Sequence, residues 1–117
     1  MNLNDTLQSA YSGKKVLLTG HTGFKGAWLL LWLERLGATV KGYALAPEHP
    51  NDLYNLVQDK TAVDSVIADI RDRDKLTSVI REFRPDFIFH LAAQPLVLRS
   101  YREPLYTFEV NVNGTAY

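Results

Sequence analysis

Three glycines recur at a fixed spacing in "VLLTGHTGFKGAWLLLWL": Gly20, Gly23 and Gly26. They follow a short apolar run and open a longer apolar run, which is the setting in which a glycine-rich turn binds phosphate. The first glycine allows a tight turn, the second lets the backbone approach a pyrophosphate, and the third lets helix and strand pack closely. Free amides at the start of the helix, together with its dipole, favour an anion there. The pattern therefore predicts a dinucleotide site, and the alternative is an ordinary strand–helix turn that happens to be rich in glycine.

The elements that must position this loop alternate along the chain. Short apolar runs rich in β-branched residues predict strands at 16–19, 39–43, 63–68 and 87–91. Helical patterns lie between and after them, at 27–36, 52–58, 72–83, 100–103 and 105–117. Gly37 is the expected C-terminal cap of the first of these helices, and the N-terminal residues are expected to form a polar lead-in. Such alternation predicts an α/β fold with parallel, buried strands and right-handed crossovers.

Composition narrows the class of protein. The 117 residues are 46% hydrophobic and 22% charged, which is typical of a globular domain. Thirteen basic residues balance thirteen acidic ones, so neither nucleic acid nor an anionic membrane surface is indicated as a partner. The chain has no cysteine, which excludes thiolate metal ligands and suits a reducing cytoplasm, and no metal site is predicted.

Four stretches, in this order, resemble the extended short-chain dehydrogenase/reductase family of nucleotide-sugar dehydratases and epimerases: "TGHTGFKG", "DIRD", "HLAAQP" and "NVNGT". The spacing of the glycines differs both from Gly-x-Gly-x-x-Gly and from the Walker A loop, in which a lysine precedes Ser or Thr. Within the family, "GHTGFKGAWL", "VKGYAL" and "AAQPLVLRSY" are most similar to the CDP-glucose 4,6-dehydratase branch, with His21 and Lys25 as discriminating residues.

The resemblance implies a Rossmann-like, doubly wound sheet of strand order 3-2-1-4 and NAD as the cofactor. The family's cofactor positions correspond here to Gly20, Thr22, Gly23, Phe24, Lys25, Gly26, Asp69, Ile70, Leu91, Ala92, Ala93 and Asn111. Asp69 would accept a hydrogen bond from the adenine amino group, and Asn111 would shape the active site. Candidates for contact with the substrate are Gln94, Leu96 and Arg99.

The implied reaction converts CDP-glucose, or a related nucleotide sugar, to its 4-keto-6-deoxy product. The sugar is oxidised at C4, water is eliminated, and the hydride returns to C6. In the family the base is the tyrosine of a Tyr-x-x-x-Lys helix. We predict no such helix and no catalytic residue in this chain. Residues 1–117 would then be the N-terminal part of the NAD-binding domain of a homodimeric or homotetrameric protein. The alternatives are another epimerase or dehydratase, and a non-catalytic dinucleotide-binding module.

Several individual residues have two interpretations. His21 is expected to contact the phosphates, whereas His90 is either a base or, as we favour, a hydrogen-bonded structural residue. Asp69 has the rival role of capping the helix that follows it. Trp28 and Trp32 are expected in the core, and Arg99 either faces the substrate or is solvated.

The end of the second strand is a departure from the family. No acid stands near Ala44 to bind the ribose hydroxyls, and Glu48 follows only in the next loop. The sequence therefore predicts weaker or less selective NAD binding than is usual.

Overall fold

A central apolar strand, β1, organises a four-stranded parallel sheet. The computed structural model describes residues 2–117. The strands are β1 (Lys15–Thr19), β2 (Thr39–Ala44), β3 (Asp64–Ile67) and β4 (Phe87–His90). The helices are α1 (Leu3–Tyr11), α2 (Phe24–Arg35), α3 (Leu53–Val57), α4 (Arg73–Phe83), α5 (Val97–Arg102), α6 (Pro104–Phe108) and α7 (Gly114–Ala116).

The strand order is β3-β2-β1-β4, and every neighbouring pair is parallel. This confirms the predicted Rossmann-like α/β fold and its order 3-2-1-4. Val16 lies beside Val40 on one side and Phe87 on the other. All four strands therefore end at one edge of the sheet, where the loops after them meet.

Two apolar cores cover the two faces of the sheet, because successive side chains of a strand point to opposite faces. Val16 and Leu18 of β1 pack with Leu30 of α2. Leu17, between them, packs with Leu76 of α4 and Val110 near the C-terminus. The predicted amphipathic helix at 72–83 is thereby confirmed.

The outer strands are less buried than the sequence suggested. β1 is buried from its second residue onward, but three of the four residues of both β3 and β4 are exposed. Ile67 and Ile88 are each about half exposed, at 53% and 51%. The prediction of buried strands thus holds for the centre of the sheet and is wrong at its edges, where a strand has a neighbour on one side only.

The polar lead-in before β1 contains a helix, α1, which the sequence pattern did not predict. The Asn2 side chain accepts a hydrogen bond from the Asp5 amide, and the Asp5 side chain accepts one from the Asn2 amide, which is a capping box. α1 buries none of its own residues fully, and Tyr11 at its end packs against Phe87 and Phe89 of β4.

α2 begins at Phe24, earlier than predicted, and Gly37 follows it with a φ of +88°, as the predicted cap requires. Trp28 and Trp32 lie on the outer face of this helix and are 55% and 52% exposed. Their predicted place in the core is wrong, because Ala27, Leu30 and Leu33 form the buried stripe.

The C-terminal helical segment is interrupted as the proline predicts. Pro104 is the first residue of α6, after which one π-type turn at Glu109–Asn113 leads into α7. No helix among residues 2–117 combines the length and apolar character that crossing a membrane requires.

Candidate functional site

The glycine loop joins β1 to α2 at the carboxyl edge of the sheet. Gly20 has a φ of +80°, and its amide donates to the Tyr43 carbonyl on β2. A Cβ on Gly26 would lie 1.9 Å from the Gly20 carbonyl oxygen, so only glycine allows this helix to pack so closely on the loop. The roles predicted for the first and third glycines therefore have a direct geometric reason.

A groove of about 770 Å³ opens beside this loop. Fourteen of the sequence-predicted site residues line it: Gly20, Thr22, Gly23, Phe24, Lys25, Gly26, Asp69, Ile70, Leu91, Ala92, Ala93, Gln94, Leu96 and Arg99. The exceptions are Asn111 and His21. The volume lies within the range of small-molecule and cofactor sites.

The N-terminus of α2 has the free amides and the open space that a phosphate group requires. Gly23 is the N-cap of the helix and offers no side chain to the first-turn amides, which remain available to an anion. A Cβ on Gly23 would meet only the Gly20 carbonyl oxygen, at 3.4 Å, so the space in front of the cap is open. Lys25 adds a positive charge to the lining of the groove.

Asp69 follows β3, and its carboxylate is held by Arg71. The Arg71 guanidinium donates to both oxygens, at 2.8–3.1 Å. These hydrogen bonds hold the pKa of Asp69 below its ordinary value, so the group is ionised. The rival capping role is excluded, because Asp72 is the N-cap of α4 and accepts from the Lys75 amide.

His21 lies beneath the glycine loop and not in the groove, so the expected phosphate contact is wrong. Its ring is fully buried over the backbone of Gly42 and meets the Tyr54 ring edge-on. Its Nε2 lies 2.7 Å from the Ser65 hydroxyl, while Nδ1 has no partner. Burial lowers the pKa of His21 to about 4, so the ring is neutral near pH 7.

His90 joins β4 to β1 and α7, as the structural interpretation predicted. The Thr19 hydroxyl oxygen accepts from the amides of Leu91 and Ala92, so its proton must point to His90 Nδ1, 2.6 Å away. His90 Nε2 then carries the ring proton and donates to the Thr115 hydroxyl at 3.1 Å. Burial lowers the pKa of His90, which also favours this neutral ring.

Gln94 lines the groove, but its side chain is buried and fully hydrogen-bonded. Gln94 is 6% exposed. Its side-chain nitrogen donates a hydrogen bond to the Thr107 hydroxyl, and its side-chain oxygen accepts one from the Leu96 backbone N–H. Asn111 holds the backbone of the same residue. Its side-chain oxygen accepts a hydrogen bond from the Gln94 backbone N–H, and its side-chain nitrogen donates one to the Gln94 backbone carbonyl. Sequence reasoning missed this contact, which explains why Asn111 itself stays out of the groove lining.

Arg99 lies at the outer rim of the groove. It pairs with Glu103 at 2.7 Å and with Glu48 at 3.5 Å, and its guanidinium lies 4.5 Å from the centre of the Tyr106 ring. Glu48, in the loop after β2, is therefore paired with an arginine of α5. Ala44 is buried at the end of β2 and also lines the groove.

The spacing Tyr-x-x-x-Lys does occur once, at Tyr11 and Lys15, which the prediction of no such motif overlooked. The two residues are not on one helix: Tyr11 ends α1 and Lys15 begins β1, at the edge of the sheet opposite the glycine loop. The Lys15 ammonium donates to the Phe83 carbonyl. This pair therefore has no access to the groove.

A parallel sheet of order 3-2-1-4, with a glycine turn opening its first helix, defines a Rossmann-like α/β protein. A family model described as GDP-mannose 4,6 dehydratase matches residues 17–117. The chain belongs to this family of nucleotide-sugar dehydratases and epimerases.

Named relatives support the same assignment. CDP-glucose 4,6-dehydratase from Salmonella typhimurium is 53% identical over 108 residues, covering 92% of this chain and 30% of that protein. UDP-glucose 4-epimerase from Mycolicibacterium smegmatis is 39% identical over 102 residues, covering 86% and 32%. The chain thus spans about a third of the length of these curated relatives.

Solved structures of epimerases share the fold. An epimerase from Methanothermobacter thermautotrophicus superposes with a TM-score of 0.79 at 31% identity, covering 98% of this chain and 33% of that one. UDP-glucose-4-epimerase from Stenotrophomonas maltophila, solved with bound NAD and formylated UDP-arabinopyranose, gives a TM-score of 0.74 at 30% identity, covering 88% and 31%.

Proposed function

We propose that this chain binds NAD in the groove, as the N-terminal part of the cofactor-binding domain of a CDP-glucose 4,6-dehydratase. The single observation that carries the cofactor assignment is the uncapped start of α2 at Gly23, open to the groove and flanked by Lys25. The relative solved with NAD supports it.

In this proposal each part of the groove binds a different part of NAD. The first-turn amides of α2 and Lys25 hold the pyrophosphate. Asp69 accepts from the adenine amino group. Leu91, Ala92 and Ala93 offer small, apolar contacts beside the nicotinamide ribose. NAD, when bound, supplies a hydride acceptor for oxidation of the sugar at C4. A full dehydratase needs a Tyr-Lys helix and a nucleotide-sugar domain in addition to these residues.

NAD binding is tested directly by titrating the chain with NAD and following the heat of binding. Gly23→Asp places a carboxylate at the N-cap. The carboxylate stabilises the helix by accepting hydrogen bonds from its first-turn amides, so these amides are no longer free to bind phosphate, and its negative charge repels phosphate. We expect Gly23→Asp to keep or raise thermal stability while NAD affinity falls roughly tenfold or more, since charge-assisted hydrogen bonds contribute about 1.5–3 kcal/mol. Ser9→Asp, which adds the same charge on exposed α1, should bind like the parent. Equal NAD affinity in all three proteins would overturn the proposal.

The substrate class is tested in a chimera. This chain replaces the matching segment of the Salmonella CDP-glucose 4,6-dehydratase, and the product is assayed with CDP-glucose. Formation of a 4-keto-6-deoxy sugar supports the dehydratase. The second candidate is a UDP-glucose 4-epimerase, favoured by the 39% identical relative and by the solved neighbours. A parallel chimera with that epimerase separates the two: activity in the epimerase chimera alone would favour the second candidate.

A further inference from the structure

Arg71 has an unusually complete set of contacts for a residue in a surface loop. Its backbone amide and its guanidinium both donate to Asp69. Its Nη1 donates to Glu109 at 3.1 Å, and its guanidinium lies 4.8 Å from the centre of the Tyr106 ring. The guanidinium is thus fixed from three directions, by a carboxylate, by a second carboxylate and by an aromatic ring.

The contact with Asp69 fixes the orientation of that carboxylate. Oδ1 accepts from the Arg71 amide at 2.8 Å and from Nε at 3.1 Å, and Oδ2 accepts from Nε at 3.1 Å and from Nη2 at 2.8 Å. A bidentate arginine–carboxylate pair of this kind sets the plane as well as the position of the carboxylate. Rotation of the Asp69 side chain would break at least one of these bonds.

Arg71 does not line the groove, whereas Asp69 does. Arg71 lies instead in a smaller cavity of about 410 Å³ on the other side of Asp69, with Glu109 and Asp72. Of the residues that line the groove, Arg71 contacts two: it holds the Asp69 carboxylate by hydrogen bonds, and its guanidinium faces the Tyr106 ring.

We propose that Arg71 is a positioning residue that presents the Asp69 carboxylate to the amino group of an adenine base in the groove. This inference rests on the proposed function. An adenine amino group donates to a carboxylate, whereas the carbonyl oxygen of hypoxanthine at the same place repels it. Arg71 therefore determines discrimination between the two bases rather than affinity for dinucleotides in general.

The experiment measures the dissociation constants of NAD and of nicotinamide hypoxanthine dinucleotide, and takes their ratio. For the parent chain we expect a preference for NAD of roughly tenfold or more, as a charge-assisted hydrogen bond implies. Arg71→Lys keeps the charge but loses the bidentate geometry, and Arg71→Gln loses both. Both variants should bring the ratio close to one. Arg73→Lys, two positions away on α4, is the matched control and should keep the parent ratio.

A variant that leaves Arg71 itself unchanged tests the same contact with a smaller change to the protein. Glu109→Gln leaves Arg71 in place but removes the charge that anchors Nη1, and it should lower the ratio by an intermediate factor. α4 keeps its own cap at Asp72 in all these variants, so the helical signal in far-ultraviolet circular dichroism should be unchanged.

The outcomes separate the two proposals. A merely structural role for Arg71 would weaken both dinucleotides equally and leave their ratio unchanged, which overturns the positioning role while the proposed function stands. Failure of the folded parent chain to bind either dinucleotide overturns the proposed function and this inference with it. A ratio that falls in both Arg71 variants but not in Arg73→Lys supports the inference.

Discussion

Acid should destabilise this fold through one buried side chain, His21. Burial lowers the pKa of His21 from 6.5 to about 4. The native state therefore binds a proton less readily than the unfolded chain, and the free energy of unfolding falls as the pH drops below 6.5. At about 1.4 kcal/mol per pKa unit, the loss amounts to about 3 kcal/mol by the time the pH reaches the native pKa. That is a large part of the stability of an ordinary domain.

The structural reason is that a protonated His21 has no place for its second proton. Nε2 is already paired with Ser65, and Nδ1 is buried without a partner. Protonation would put a charge against the Gly42 backbone and the edge of the Tyr54 ring, where no carboxylate offers compensation among the contacts of residues 2–117. Such a buried charge is costly unless it is paired.

Urea denaturation at a series of pH values between 6.5 and 4.5 measures the effect. His21→Phe keeps a ring over Gly42 and cannot be protonated, so it should lose most of the slope of unfolding free energy against pH. His49→Gln, at an exposed position, should keep the parent slope. Partial burial also lowers the pKa of His90, which adds a slope of the same sign in every variant. A parent chain equally stable across this range, or a His21→Phe variant with the full slope, would refute the reasoning.

Further substitutions test the packing around the glycine loop and the cap of the helix that follows Asp69. Gly26→Ala places a Cβ 1.9 Å from the Gly20 carbonyl and should lower the melting temperature sharply or prevent folding, whereas Gly23→Ala, with its nearest contact at 3.4 Å, should melt near the parent temperature. Gly42→Ala drives a Cβ to 2.4 Å from the His21 ring and should cost about 1–3 kcal/mol in urea denaturation. The cost should shrink in a double variant with His21→Ala, and strict additivity would contradict the contact. Asp72→Ala removes the cap of α4 and should cost about 1 kcal/mol, while Asp72→Asn should restore most of it.

The strand order and the glycine loop were predictable because each depends on local patterns. The apolar run of β1, the turn at Gly20 and the cap at Gly37 all lie within a few residues of the elements they define. The crossover rule then fixes how parallel strands can be connected. The N-terminal helix was not predicted, because its capping box joins two small polar residues without a strong apolar stripe behind them.

Burial and side-chain direction depended on contacts that sequence patterns do not contain. Trp28 and Trp32 are apolar but occupy the outer face of α2, since the small Ala27 is the residue that can approach the sheet. His21 and Gln94 lie in motifs associated with binding, but both side chains are buried and form hydrogen bonds with other elements, His21 with Ser65 of β3 and Gln94 with Thr107 of α6. Most of the predicted cofactor residues come together in one groove because they lie in loops at the carboxyl ends of the strands, whose place follows from topology. That these residues bind the cofactor stays a prediction.

A continuous path of hydrogen-bonded polar residues links the end of β1 to the loop after β4 by way of the C-terminal helical segment. Thr19, His90 and Thr115 are linked in series, and the Thr115 hydroxyl donates to the carbonyl of Asn111, whose side chain holds the backbone of Gln94. Thr19 and Gln94 are buried, whereas His90 and Thr115 are exposed, so the path runs from the centre of the sheet to the surface. The path also orients the loop after β4. The Thr19 hydroxyl oxygen accepts hydrogen bonds from two successive backbone amides of this loop, which apolar packing could not provide. The wall of the groove is thereby fixed to the end of β1 before any ligand arrives, as preorganised binding requires.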